Sequence, residues 1–364
     1  MTPRTDDAGP MGGRDTDAGN LVRGADVIAA EEAAESGDAG VASGDAGVAS
    51  GDAAAGADGP AVPPARPLVV RTRNDLREAL VRWTMSAPIA SVTGEGPARR
   101  AVVMTMGALH EGHLELVRQA RAAAGPGGQV VLTIFVNPLQ FGEGEDLEAY
   151  PRDLEGDVEK LASVGADVVF APGPDVVYPY GDPIVRVSAG RIGRVLEGEF
   201  RPGHMDGVLT VVLKLLHLVR PDVALFGQKD AQQLLAVRRM VADLDLDAEI
   251  LGVPTVRDRD GLALSSRNAY LSDAERERAL ALSRALRAGQ EAGPGGAAEV
   301  RRAASEVLNA AEGVDVDYLA LVDPITVDDV PDDHSGPALL LVAARVGTTR
   351  LIDNQTVEVS SQVT

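Results

Sequence analysis

The chain has 364 residues, a formal net charge of −21 and no cysteine. That length allows roughly two domains with cores of ordinary size; the lack of thiols excludes a disulfide-stapled fold, thiolate metal sites and cysteine nucleophiles; and the acidic balance disfavours binding to a nucleic-acid backbone. No apolar run of 18 or more residues is present to cross a bilayer, and the start, MTPRTDDAGP, has neither the basic flank nor the apolar stretch of a secretory signal, so no membrane partner and a cytoplasmic location are expected.

Residues 1–66 carry twelve acidic side chains against four arginines, so residues 67–364 remain acidic as well. Within this extension ESGDAGVASGDAGVASGDA repeats the seven residues SGDAGVA. Two glycines per repeat, with Val as the only large apolar residue, leave no seam for a coiled coil. Residues 1–66 are expected to be a disordered, Gly/Ala/Asp-rich extension.

Beyond it, buried strands alternate with amphipathic helices. Val102, Val103 and Met104 read as a strand, followed by a Gly-containing turn and a helix over 113–124. VVLTIFV at 130–136 is a fully apolar strand of the kind buried on both faces of a parallel sheet. Helix 153–163, strand 167–171, helix 208–218, strand 223–226, helix 231–244 and strand 249–253 continue the series. Such alternation predicts βαβ units in a doubly wound α/β sheet over 67–254, with ligands at the carboxyl ends of the strands. After Pro254 come helices at 273–292 and 297–312 and short strands near 316–321 and 338–344, a smaller α+β domain spanning 255–364.

Four constellations fall where strands meet helices. In Met106-Gly107-Ala108-Leu109-His110-Glu111-Gly112-His113 the glycines allow close backbone approach, a helix start offers N–H groups, and two imidazoles three residues apart can face one anion. This is the pattern of a phosphate site, with His110 and His113 as donors to developing charge and His113 as a candidate proton donor. The second, FVNPLQFG, sets Gln140 at a strand end, where an amide can bind a small hydroxy acid; local pattern leaves open a plain Asn137-Pro138 turn with Gln140 exposed. The third is Gly227-Gln228-Lys229-Asp230, followed by Gln232 and Gln233, in which a lysine can reach phosphates and Asp230 can cap a helix or hold a ribose or magnesium contact. In the fourth, Val256 precedes a Gly-flanked loop with Leu264-Ser265-Ser266-Arg267, which reads either as a hydroxyl and guanidinium clamp suited to pyrophosphate oxygens or as a bare turn. A weaker element, Arg201-Pro-Gly-His204, offers an anion contact or simple packing. His217 and His334 are expected to be peripheral, and the i,i+4 pair Asp153 and Asp157 to be a solvated helical face rather than metal ligands, which leaves any metal ligands unknown.

The His-x-Gly-His element resembles the nucleotidylyl transferase superfamily, and by itself leaves open several adenylyl-transferring enzymes, from nucleotidylyltransferases that stop at adenylyl transfer to class I aminoacyl-tRNA synthetases. Taken in order, TMGALHEGH, IFVNPLQFG, AYPRD, LEGEFRPGH, GVLTVVLKLL, FGQKDAQQ and DGLALSSRNAYLS closely resemble the pantothenate synthetase family, ending in VAARVGTTRLIDN. The resemblance implies a ligase that joins (R)-pantoate to β-alanine through pantoyl adenylate, with ATP as substrate, Mg2+ on the ATP phosphates, a C-terminal lid and a homodimer. It also implies ATP contacts from Met106, Gly107, Ala108, Leu109, His110, Glu111, Gly112, His113, Gly227, Gln228, Lys229, Asp230, Val256, Leu264, Ser265, Ser266 and Arg267. Pantoate would be held by Gln140 and Gln233, β-alanine by Gln140, and phosphoryl charge by His110, His113 and Lys229. The chain departs from the family pattern at Met104, usually proline, which is expected to loosen the strand end or reshape the pantoate pocket. It also departs at Met205, usually phenylalanine, at Gln228, usually acidic, and in the extension.

Overall fold

The computed structural model describes residues 66–86, 98–142, 147 and 150–360. The expected disorder of the extension lies, apart from Arg66, outside the described residues, as does Ala149 of the AYPRD run. The described residues all belong to one compact unit.

Six parallel strands form the larger sheet: β1 (Leu68–Val70), β2 (Arg100–Thr105), β3 (Gln129–Ile134), β4 (Val168–Phe170), β5 (Val223–Gly227) and β6 (Glu249–Val253). Val102, Val103, Val130, Val131, Leu132, Val169 and Ala224 have no solvent exposure, as expected where helices cover both faces of a parallel sheet. Helices Glu111–Ala124 and Leu154–Ala162 pack on one face through Val117, Ala120, Val158 and Leu161. Helices His204–Val219 and Ala231–Asp243 join the core on the other through Val212, Leu215, Leu234 and Val237.

The strand order is β1-β4-β3-β2-β5-β6. From β2 the chain steps outward to β3 and β4, then returns to place β5 on the opposite side of β2. The direction of winding thus reverses between β2 and β5, and the crevice beyond the carboxyl ends of those two strands is where an open α/β sheet binds ligands.

A second sheet, antiparallel in the order β7-β8-β9, consists of β7 (Val314–Val322), β8 (Gly336–Val346) and β9 (Thr349–Val359). Helices Asp273–Glu291 and Ala297–Asn309 cover one face through Leu282, Leu286 and Val300 against Leu340 and Val342. Leu339, Leu341 and Val322 face the other way and pack with Ala231, so the small sheet reaches the start of a helix of the large one. The chain is therefore a Rossmann-like doubly wound domain with a smaller α+β part.

β1, the helix Arg73–Ser86 and β9 have no counterpart in the strands and helices expected from sequence. At the position of the family's usual proline, β2 runs unbroken through Met104, paired with Thr133, to Thr105. Methionine keeps the N–H that proline lacks, and its side chain packs against the core.

Candidate active site

The segment 106–113 leaves β2 at the switch point and turns into the helix Glu111–Ala124. Gly107 (φ 88°) and Ala108 (φ 53°) both adopt left-handed backbone, costing a non-glycine residue such as Ala108 roughly 1–2 kcal/mol. A Cβ on Gly107 would lie 3.1 Å from Ile134 and 3.2 Å from Asp157. What holds the turn is Asp157, whose carboxylate is buried and accepts from the N–H of Ala108 at 3.0 Å and of Leu109 at 2.8 Å. Lys160, one turn along the same helix, donates to the carbonyl of Leu109 at 2.7 Å. The expectation of a solvated Asp153/Asp157 pair is thus corrected. Asp153 is exposed and caps its helix by accepting from the N–H of Gly156, but Asp157 faces inward as the anchor of the phosphate-type loop.

His110 is the N-cap residue of the helix, and its N–H donates to His113 Nδ1 at 3.3 Å. With Nδ1 an acceptor, His113 carries its proton on Nε2. The two ring centroids lie 4.1 Å apart with their planes tilted by 37°. Burial first, then the His110 ring and the Lys160 and Lys229 cations, pull the His113 pKa down to about 3. His110 is also lowered, by burial and then by Lys229 and Lys160, with Asp230 opposing. Both are therefore neutral hydrogen-bond donors near pH 7. His110 Nδ1 is buried and has no partner among the described residues. The Glu111 side chain turns to the surface and pairs with Arg118, leaving its backbone at the positive end of the helix.

At the end of β3, Asn137 is buried and organises the next turn. Its Oδ1 accepts from Tyr178 Oη at 2.8 Å and from the N–H of Leu139, while Nδ2 donates to the Gly207 carbonyl and to Gln140 Oε1 at 3.2 Å. Gln140 is half-buried, and its Nε2 lies 3.1 Å from Met106 Sδ, which sets the Gln140 amide beside the first motif. A side chain on Gly207 would collide with the Leu139 carbonyl at 2.2 Å, which explains why the helix His204–Val219 approaches through glycine. Arg201 and His204 contact the Gln140 carbonyl.

β5, the neighbour of β2, ends in Gly227, and the turn 228–230 leads into the helix Ala231–Asp243. Lys229, Asp230 and Gln233 line a cleft of about 740 Å³, together with Ser265 and Arg267 from the fourth motif and Arg201 and His204 from the weaker one. Val256 and Leu264 pair with each other, the N–H of Leu264 donating to the Val256 carbonyl at 2.9 Å, and so close the hairpin that carries Ser265. Ser265 accepts from the N–H of Arg267, and Ser266 opens the short helix that follows. Leu264 also borders the first motif, 3.9 Å from where a Gly112 Cβ would lie. His217 is exposed, and the His334 ring lies against the Pro337 carbonyl.

A family model for pantoate–β-alanine ligase matches residues 69–356. Pantothenate synthetase 4 of Frankia alni is 58% identical over 299 residues, covering 79% of this chain and 96% of its own. The crystal structure of pantothenate synthetase from Thermus thermophilus is 47% identical with a TM-score of 0.69, covering 79% of this chain and 98% of that one. A pantoate–β-alanine ligase from Francisella tularensis, in complex with β,γ-ATP and β-alanine, is 30% identical with a TM-score of 0.62 over 79% of this chain and 97% of its own. With the fold, the loop after β2 and these matches in agreement, the chain belongs to the pantoate–β-alanine ligase (pantothenate synthetase) family.

Proposed function

We propose that the chain condenses (R)-pantoate with β-alanine at the expense of ATP, through pantoyl adenylate. One observation carries the reading: the His110/His113 loop and the Lys229 turn leave adjacent strands, β2 and β5, at the point where the winding reverses. A triphosphate there meets two neutral imidazole N–H donors on one side and an ammonium on the other. In the first step a pantoate carboxylate oxygen attacks the α-phosphorus and pyrophosphate leaves. His110, His113 and Lys229 donate to the charge that grows on the phosphoryl oxygens, while Ser265, Ser266 and Arg267 receive the departing pyrophosphate. In the second step the β-alanine amine attacks the acyl carbon, and AMP leaves with the bond electrons.

Gln140 and Gln233 hold pantoate, with Gln140 also beside β-alanine, and Met106, Gly107, Ala108, Leu109, Glu111, Gly112, Gly227, Gln228, Asp230, Val256 and Leu264 shape the ATP side. Magnesium belongs to this proposal as a companion of the ATP phosphates. Among the described residues no group of three or more His, Asp or Glu side chains is placed to hold a metal ion, so these residues supply no cage of their own, and no step is assigned to the ion. Residues 255–364 act as a lid on the 67–254 domain, and the protein works as a homodimer in the cytoplasm, where ATP is available. Among the described residues no helix is long and apolar enough to cross a membrane.

The test is incubation with ATP, (R)-pantoate and β-alanine. AMP and pantothenate should appear in equal amounts only when all three are present. AMP release that is absent, or that continues without β-alanine, would overturn the reading.

A further inference from the structure

Lys229 stands near enough to the first motif for its charge to depress both His110 and His113. The lysine sits on a short turn between β5 and the helix Ala231–Asp243, and no side chain of that turn caps the helix. The restraint comes from 125 residues away, on β9. Asn354 is buried, and its Nδ2 donates to the carbonyl of Gln228 at 2.9 Å and to that of Lys229 at 2.9 Å. Both N–H bonds of one amide are thus spent on the two peptides flanking the lysine's Cα. The preceding residue, Asp353, is buried as well and grips Arg257 with both oxygens, at 2.6 and 3.0 Å. Arg257 lies at the root of the hairpin that carries Ser265. Two consecutive residues of one strand therefore hold two segments that face the same cleft.

From this geometry we infer that Asn354 is a positioning residue that acts through Lys229, setting where the ammonium stands relative to the His110/His113 loop. The inference rests on the phosphate role given to Lys229 above. A buried amide is suited to the task because two carbonyls pointing into a protein interior need donors, and a short carboxamide supplies two from one rigid plane without bringing a charge. Without those donors the two carbonyls would be left unpaired in the interior, a cost that a shift of the turn relieves, and displacement of a phosphate donor by about 1 Å is enough to slow a reaction by around 10²-fold.

The experiment is a double-mutant cycle on the full chain, reading pantoyl-adenylate formation from ATP and pantoate as a single turnover so that slow variants stay measurable. Asn354→Ala and the volume-preserving Asn354→Asp should each slow the step roughly ten- to a hundredfold. In a Lys229→Met background the same changes should alter the rate less than about twofold, because the group they position is gone. Equal factors in both backgrounds, wild-type rates for the single variants, or failure of both to fold would make Asn354 a merely structural residue and overturn the inference alone. A wild-type rate for Lys229→Met would instead overturn the phosphate role of Lys229, and the inference with it.

Discussion

The carboxylate of Asp157 stands 3.0 Å from the N–H of Ala108, the one non-glycine residue of the loop after β2 held in left-handed backbone. The same carboxylate takes the next N–H, that of Leu109, so the strained peptide is fixed from one side chain. Asp157→Asn should disturb both fold and reaction, since an amide offers one acceptor and turns its NH2 toward the other N–H. A stability loss of about 2–3 kcal/mol is expected for leaving a buried donor unpaired, read by urea denaturation, with turnover at least tenfold lower. Wild-type turnover in a folded Asp157→Asn protein would show that the loop holds itself.

His113 supplies the second prediction. As its hydrogen bond strengthens only when charge develops on phosphorus, His113→Ala should lower the first-step rate by roughly 10²–10³ while ATP affinity, measured by calorimetry, changes much less. Equal losses in binding and rate would assign it to ground-state binding instead.

The same residue sets a pH dependence. Its pKa is lowered from 6.5 in the unfolded chain to about 3 in the folded one. Between these values the unfolded state takes up the proton and the folded state does not, so this contribution to stability is complete above pH 6.5 and declines as the pH falls toward 3. Urea midpoints between pH 7 and 4.5 should fall, and His113→Gln should flatten the slope. An unchanged slope in that variant would place the acid sensitivity elsewhere.

Glu197 joins the loop before the helix His204–Val219 to the small sheet. It accepts both guanidinium arms of Arg350 at 2.7 and 2.8 Å and the Tyr318 hydroxyl at 2.8 Å. Burial pushes its carboxyl up, but the Arg350 hydrogen bonds and charge, aided by Tyr318, outweigh it and hold the pKa below the usual glutamate value. Removing one partner of so enclosed a pair costs about 3 kcal/mol, and Glu197→Ala should lose that much in urea. Asp317, which also pairs with Arg350 at 2.6 Å, limits the damage. A loss below 1 kcal/mol would mean that Asp317 suffices.

The inner strands of the parallel sheet were legible because they are buried on both faces and read as apolar runs, β2, β3 and β5 differing from the expected ends by one to three residues. β6, only partly buried, has the expected ends at 249–253, whereas the short edge strand β1, with Leu68 exposed, offers no such run. β2 begins two residues before the expected start, at Ala101 and Arg100, the latter buried by bonds to Gln129 and to the Val219 and Leu80 carbonyls, a burial no hydropathy pattern reports. β9 was hidden for the same reason. Its buried positions include Thr349, Asp353 and Asn354, and the last two find their partners on other segments. The site motifs were legible where function demands unusual residues at strand ends. Asp157 was not, because an i,i+4 acidic pair on a helix looks alike whether it faces water or a strained turn.

The last prediction concerns assembly. Tyr180, Ile184 and Val185 are 99%, 101% and 86% exposed, three large apolar side chains within six residues. Three exposed apolar groups so close in sequence offer a candidate interaction surface where they lie together, and the proposed homodimer supplies a second copy to cover them. The segment is anchored just beyond this patch, by the N–H of Val187 on Thr210 Oγ1 and of Ala189 on Asp206 Oδ1, and none of the three side chains lines the cleft. Charging the patch should thus separate assembly from chemistry. Sedimentation of the wild-type chain should give twice the chain mass of 37.8 kDa. The double variant Ile184→Asp, Val185→Asp should sediment as a monomer that keeps its turnover within about twofold, since nothing holding the loop after β2 passes through that segment. A variant that remains dimeric would move the interface elsewhere, and a monomeric wild type would remove the homodimer from the proposal.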